Sequence, residues 1–469
     1  MKMKYFFRDQ AARTFLSFCI IAALLTTTAC DDDDDEGTPP QNIVTLASDN
    51  SNLSTLVSAL TKYPDLVSTL SGTGSFTVFA PTNTAFQNVL TAIGQSSIDD
   101  IPEDVLKTIL QYHVVASEVK STQLTDGPVE TVQGEDITVS VGSGVKLNGS
   151  VNVTQADVDA SNGVVHVVDA VLVPPSIVPI VGTIVAPAYF NKNFTTLIAA
   201  VKAASPTVLQ TLLNSSTKTL FAPTNAAFAA AGIAAFPAAD VLNTVLTYHV
   251  LSGEVFADDI TSGSSSATTV QGSKIYLSKG TQGLFINGTT QVTTADIEGS
   301  NGVVHVIDRT LLPPTKTIAT IVSDYANAAN NKQFTKLLAA VARTSGQGAN
   351  DLLAAISNPG DLTVFAPTDA AFDALLVALG VSSIDDIPLS TLIAVLKHHV
   401  LAARRFSSDL STGSLATLNG NVGVDLSLNP PTVTGSSGGG NVAKLQVTLL
   451  NIHATNGVIH VVDRVLLPE

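Results

Sequence analysis

Few residues in this chain are equipped for chemistry, and most of those that are recur at a fixed place in a repeat. Of its eight histidines, six form three pairs, His113/His166, His249/His305 and His399/His460. His398 and His453 stand beside the last pair. An aspartate follows the second histidine of each pair, at Asp169, Asp308 and Asp463. Imidazoles converging with a carboxylate would hold a transition metal, and a histidine oriented by an aspartate would activate a hydroxyl nucleophile. The spacing opposes both. Residues three apart on a strand point to opposite faces, so each His–Asp pair is divided by its own backbone. His398 and His399, adjacent on a helix, diverge by about 100°. His453 lies seven residues before His460 across an Asn-Gly turn, which permits proximity without enforcing it. No G-x-S-x-G elbow, phosphate-binding glycine loop or dinucleotide fingerprint is present. Two cysteines supply neither a disulfide framework nor a zinc cage. A residue needed once per repeat is best explained by folding, since one active site requires one copy. The expectation is a non-enzyme with no catalytic residue, no metal and no cofactor; the rival metal reading rests on His398, His399, His453 and His460.

Cys30 is read differently. Lys2, Lys4, Arg8 and Arg13 precede an apolar run over 15–25, small residues lead up to Cys30, and six acids occupy 31–36. A cationic start, a short apolar centre and small residues before a cut describe a secretory signal; the apolar run is shorter than the roughly 20 residues of a membrane span. Cleavage before a cysteine resembles the bacterial lipoprotein pattern, although Thr27 stands where Leu is commonest. The acidic run after Cys30 resembles the signal by which some Gram-negative bacteria display lipoproteins outward. Residues 1–29 are therefore expected to be a signal peptide, Cys30 the lipid attachment, and 30–42 an acidic tether. The predicted location is the outer membrane facing the exterior, with a periplasm-facing or secreted protein as the alternative. Loss of 1–29 removes four basic groups and Asp9, leaving 19 basic residues against 38 acidic. So acidic a chain lacks the clustered cations that nucleic acid requires.

The elements that must position these residues come in three copies. One block reads FTVFAPTNTAF at 76–86, TLFAPTNAAF at 219–228 and LTVFAPTDAAF at 362–372. A second places His113, His249 and His399 in LQYHV, LTYHV and LKHHV. A third reads NGVVHVVDAVLVPP, NGVVHVIDRTLLPP and NGVIHVVDRVLLPE from Asn162, Asn301 and Asn456. Each unit opens on an amphipathic helical stretch, NLSTLVSAL, NFTTLIAAV or QFTKLLAAV. The first block predicts a strand stopped by Pro81, with Thr82 or Asn83 capping the next helix. Asp136 to Val141 and Lys274 to Leu277 predict antiparallel strands. In the third block Val164, His166 and Val168 face one side, and Val165, Val167 and Asp169 the other. The modules span 43–175, 180–314 and 317–469. Pro174-Pro175 and Pro313-Pro314 make the joints short and stiff, which favours a restricted linear arrangement. SSGGG at 436–440 predicts a surface loop.

These blocks together resemble the fasciclin domain family: FAPTN-x-AF matches its first signature, NGVIHVID-x-VLLP its second and the Tyr-His pair its central motif. The resemblance covers nearly everything after residue 42. It implies an α+β fold of three tandem modules, each a β-sandwich or wedge of about seven strands flanked by short helices. It also implies secreted or membrane-anchored adhesion proteins without a catalytic site. In animal relatives the Tyr-His pair and an Asp-Ile dipeptide have been implicated in adhesion. By position these correspond to Tyr112-His113 and Tyr248-His249, and to Asp157-Val158 and Asp296-Ile297. Module three departs twice, with His398 for the tyrosine and Asn451-Ile452 for the dipeptide. A competing reading gives the Tyr-His pair to the core, the tyrosine beneath the sheet and the histidine bonded to backbone.

The expected function is surface-anchored adhesion, the tandem modules making multivalent contact with a protein, matrix or polymer partner and the lipid holding the membrane. The alternative is a lipoprotein that captures a glycan or nutrient. Sugar sites stack their ligand on aromatics, and this chain has no Trp and 7 Tyr.

Overall fold

A computed structural model describes residues 41–233, 235–261, 263–436 and 441–469. The signal segment, Cys30, the acidic run and residues 437–440 of the SSGGG stretch lie outside the described residues.

Module one lays out the plan. Helices α1 (Ile43–Asp49), α2 (Ser54–Leu60) and α3 (Pro64–Ser71) precede strand β1 (Phe76–Pro81), followed by α4 (Asn83–Ala92) and α5 (Glu103–Tyr112). Then come β2 (Val114–Val115), β3 (Gly127–Glu130), β4 (Asp136–Val141), β5 (Val145–Leu147), β6 (Val151–Ala160) and β7 (Gly163–Val168). The sheet order is β2-β1-β7-β6-β5-β4-β3. β1 and β7 run parallel at its centre, Phe76 opposite Gly163 and Pro81 opposite Val168. Their alternating side chains feed two cores. Val78, Ala80, Val165 and Val167 pack against the helices, while Phe79 and Val168 pack under the curled strands β3–β5. Module two repeats the seven-stranded sheet. In module three a turn at Val447–Leu449 interrupts the counterpart of β6, leaving two four-stranded sheets.

The capping expectation resolves into two roles. The Thr82 hydroxyl accepts from the amide of Ala85 at 3.2 Å and caps α4. Asn83 reaches across instead, accepting from Thr55 N at 2.9 Å and donating to Ser51 O at 2.9 Å. Thr224 and Asn225 divide the work in the same way, and beside the cap Thr368 the Asp369 carboxylate only accepts, from Lys336 N and the Thr335 hydroxyl, each at 2.8 Å.

The Asn-Gly pair of the third block does more than turn the chain. Asn162 is buried. Its carbonyl oxygen accepts from the first amide of α1, Ile43 N, at 3.0 Å. Its amide donates to Leu70 O at 2.8 Å and Gly72 O at 3.0 Å, the otherwise unpaired carbonyls at the end of α3. Its backbone oxygen accepts from Phe76 N at 3.1 Å. Asn301 clasps Ile184, Leu212 and Asn214, and Asn456 clasps Ile318, Ile356 and Asn358. Gly163 is required beside the clasp: φ is +146°, and a Cβ would lie 2.0 Å from Phe76 O.

The joints differ from one another. Residues 176–185 fold into consecutive turns, with Ile177 N on Pro174 O at 2.8 Å and Ile180 N on Ile177 O at 2.9 Å. Ile177, Ile180 and Ile184 are buried in a helical-side core continuous through modules one and two. Module three keeps its own core. The first joint is therefore part of the packing and holds its modules together directly.

Replacing Asn301 with Ala should cost roughly 3 kcal/mol or more, because it strands three buried backbone groups at about 1–3 kcal/mol each. Urea unfolding of the whole chain tests this; a loss under 1 kcal/mol would contradict the clasp.

Candidate functional site

Tyr112 and His113 close the inner face of module one. Tyr112 ends α5 and is fully buried. Its hydroxyl donates to Asp136 O at 2.7 Å and accepts from Asn148 Nδ2 at 3.0 Å, tying α5 to the β3–β5 sheet. Tyr248 does the same with Lys274 O at 3.0 Å and Asn287 Nδ2 at 3.2 Å. His113 Nδ1 lies 2.7 Å from Ile109 O, and its Nε2 accepts from Leu172 N at 2.9 Å. A carbonyl only accepts and an amide only donates, so the ring is fixed as the neutral Nδ1–H tautomer. His249 repeats this between Val245 O and Leu311 N, and His399 between Val395 O and Leu466 N. Both dipeptides are covered, and contact with a partner through them requires the module to open. In module three His398 takes the place of tyrosine, with Nδ1 2.6 Å from Asn419 O.

The second histidine of each pair has a different task. His166 stacks on Phe79 with ring centroids 5.6 Å apart. Its Nε2 lies 2.9 Å from Val119 O, and its Nδ1 accepts from Asp157 N at 3.2 Å. That last bond helps hold Asp157 at φ +57°, in a doubly bulged stretch of β6. The carboxylate then accepts from Ser121 N at 2.7 Å and from the Ser121 hydroxyl, which holds its pKa below the usual carboxylate range. In module two His305 accepts from Asp296 N at 3.3 Å, Asp296 sits at φ +60°, and its carboxylate accepts from Ala257 N at 2.9 Å. The carboxylates are about one-third exposed, 33% and 37%, and Val158 and Ile297 are half-buried against the helical cores. The predicted Asp-Val and Asp-Ile pairs are thus displayed corners, separate from the interior Tyr-His pairs. Asp169, Asp308 and Asp463 face away from the histidines and brace the amides of Asn152, Gln291 and Lys444.

The four module-three histidines have separate surroundings. His399 and His460 are spent on backbone, His398 meets Asn419 and Ser436, and His453 lies against Tyr276 and Phe406. No cluster of three His, Cys, Asp or Glu side chains suited to a metal occurs among the described residues.

Two places that the motifs do not mark are the module junctions. A cleft of about 680 Å³ lies between modules one and two, lined by Ile93 and Gln95 on one side and by Ala186, Asn193, Ile297 and Glu298 on the other. The candidate residue Ile297 is in its wall. Between modules two and three, Arg404 lies over the Tyr276 ring at 4.5 Å. Its Nε donates to Asp361 Oδ1 at 2.9 Å, and the Tyr276 hydroxyl donates to that same oxygen at 3.0 Å. The remaining guanidinium nitrogens grip the turn carbonyls of Ala454, Thr455 and Gly457. Asn451, the departure from aspartate, also has a use here. Its amide donates to Gly288 O of module two at 3.1 Å, a bond that a carboxylate cannot make. Asn451 at an Asp position was the sequence signal for this contact; Tyr276 and Arg404 carried none.

Two outcomes follow from these contacts. Burial holds the imidazoles of His113, His249, His399 and His460 at about 4. The unfolded chain takes up these protons near pH 6.5 and the folded chain only near 4. Stability is therefore complete above about pH 6.5 and falls as pH drops toward 4, by up to roughly 3 kcal/mol per histidine. Urea midpoints measured at pH 7.5, 5.5 and 4.5 should decline steeply; a flat series would contradict the neutral assignment. Tyr276→Ala should loosen the second junction, a desolvated cation–π contact being worth about 2 kcal/mol. Hydrogen exchange over residues 404–410 should rise tenfold or more while the module-one clasp stays protected; unchanged exchange there would contradict the role given to Tyr276.

Comparison with known proteins bears on the repeats as a whole. The family model for the fasciclin domain matches residues 51–174, 192–313 and 332–468. "Protein sll1483" of Synechocystis is 46% identical over 134 residues, 28% of this chain and 73% of that protein. Human periostin is 26% identical over 437 residues, covering 92% of this chain; the chain spans about half of periostin, 48%. "Cell surface glycolipoprotein MPB83" of Mycobacterium bovis is 38% identical over 146 residues, 30% of this chain and 64% of that protein. Fasciclin domains are linked to cell-adhesion and surface-interaction proteins. With three ordered matches along the sequence, each on a repeat of the same plan, this chain belongs to the fasciclin domain family.

Proposed function

We propose that this protein is a non-catalytic adhesion lipoprotein of the outer membrane, displayed outward and anchored through Cys30. The observation that carries the reading is the division of labour within each module. The six paired histidines and both tyrosines of the central motif are consumed by internal hydrogen bonds. The Asp157-Val158 and Asp296-Ile297 corners are held rigidly at the surface. Rigid corners repeated along one chain suit modest contacts that gain strength by avidity, typically 10²–10⁴-fold. The partner is a protein, matrix component or polymer outside the cell. In this reading residues 30–42, of which 30–40 lie outside the described residues, serve as the acidic tether between the lipid and module one.

A second reading, capture of a glycan or nutrient, draws on the cleft between modules one and two. Its volume of about 680 Å³ lies within the roughly 300–1,000 Å³ of small-ligand sites.

Retention and glycan binding separate these readings, and a third experiment tests the anchor common to both. Asp157→Ala with Asp296→Ala should reduce retention of the multi-module chain on its cell or matrix target by tenfold or more, without lowering the unfolding midpoint by more than a few degrees. Full retention would remove the corners from the mechanism, and saturable binding of a defined sugar on a glycan array would favour capture. Cys30→Ser should release the protein from the membrane or leave its precursor uncleaved, and attachment and processing unaltered by that change would end the anchor proposal.

A further inference from the structure

Module three departs from modules one and two on the face that it turns toward Tyr276. The first-strand threonine hydroxyl donates to Ser117 O, Gly253 O and Ala403 O in the three modules, and the next residues are Glu118, Glu254 and Arg404. Opposite Val164, Val303 and Val458, across the last hairpin, stand Asp159, Glu298 and His453. With Asn451 at the Asp157 position, three carboxylates of the repeat give way to a guanidinium, an imidazole and an amide. Glu118, Asp159, Glu254 and Glu298 are exposed, whereas Arg404, Asn451 and His453 each meet module two.

Arg404 finds acceptors at this junction and His453 does not. The imidazole stands nearly perpendicular to two rings, its centroid 5.3 Å from that of Phe406 and 5.9 Å from that of Tyr276. Its Nε2 is buried and meets no hydrogen-bond partner among the described residues. Three titratable or charged groups face it. Arg404 repels a second cation. The Tyr276 hydroxyl, which burial pushes up to about 12, stays protonated. Asp361 is already taken by Arg404 and Tyr276. A ring face can attract a cation, but Arg404 occupies that of Tyr276. An imidazolium here would be a buried charge without an acceptor, which is costly. Withdrawal of Tyr276 opens the ring to water. The ion pairs across the first junction, Lys192 with Asp100 and Lys202 with Asp104, keep their charges between pH 5.5 and 7.5.

We propose that the second junction is an acid-operated joint, in which protonation of His453 releases module three from Tyr276 while modules one and two stay together. Burial, and after it Arg404, holds the closed imidazole at about 3, and the opened ring titrates near 6.5. Opening therefore takes up a proton, and each pH unit below 6.5 favours the open joint about tenfold. Asp409, which accepts from the Ser278 hydroxyl across the same junction, acts the other way, since burial raises its pKa and its protonation favours closing.

Thiol labelling tests the joint. The chain from residue 31 lacks both native cysteines. Ser278 is 2% exposed beneath Ser408 and Asp409 of module three, so Ser278→Cys reports opening. Ala340→Cys, in the core of module three, reports unfolding of that module. Labelling uses a pyridyl disulfide, which reacts with thiols in acid, and rates are divided by those of the urea-unfolded chain at the same pH. From pH 7.5 to 5.5 the Ser278→Cys rate should rise fivefold or more, with Ala340→Cys at least tenfold slower at pH 5.5. His453→Leu, or His453→Gln where leucine already leaves the joint open at pH 7.5, should abolish the rise. In the chain with His453 intact, the imidazole proton resonance that either variant lacks should titrate in step with the labelling. A flat response, a core thiol labelled equally fast, a rise retained by a variant closed at pH 7.5, or a rise while His453 stays neutral overturns the proposal.

Discussion

Each module depends on one buried asparagine side chain that meets three backbone groups from distant parts of the sequence. Asn162 joins the first amide of α1 to the last carbonyls of α3, and its backbone oxygen starts the pairing of β1 beside β7. Without it, two helix ends would bury polar groups with no partner, and burial of such groups is costly. The neighbouring glycine is part of the same constraint, because β1 passes where a side chain would stand. An Asn-Gly pair is ordinarily read as a turn signal. Here the turn is incidental and the clasp is what each module requires.

The histidines follow a similar logic. Two directional bonds fix each paired ring, with donor and acceptor nitrogens set by its backbone partners. His113, His249 and His399 join a helix end to the segment after β7 or its counterpart. His166, His305 and His460 each hold a residue, Asp157, Asp296 and Asn451, in left-handed backbone geometry. Residues with the chemical repertoire of catalysts are thus engaged in presenting a surface corner. Both ring nitrogens of each paired histidine are committed to backbone groups.

The two junctions show how near-identical modules acquire different neighbours. The first is apolar and continuous, built from the isoleucines of the joint and a lysine over a helix end. The second is compact and polar, with Arg404 between an aromatic ring, a carboxylate and three turn carbonyls. Asn451 explains one of module three's departures from the pattern, since an amide donor reaches Gly288 where a carboxylate would face a carbonyl oxygen. His398 accommodates the other by bonding a nearer carbonyl, Asn419 O.

Much of this protein was legible in its residues. Repetition marked three modules, alternation placed Val165 and Val167 opposite His166, and the three-residue spacing separated His166 from Asp169; all of these depend on local periodicity. Thr82 as a cap was equally local. Asn83, one residue later, was not, because its partners at Ser51 and Thr55 lie about thirty residues away. The same distance in sequence hid the Asn162 clasp, the burial of Tyr112 and the ring of contacts around Arg404. Whether a polar side chain is displayed or spent depends on which remote backbone groups need a partner. Folding alone brings those groups together, since no periodicity within one segment records the unpaired end of another.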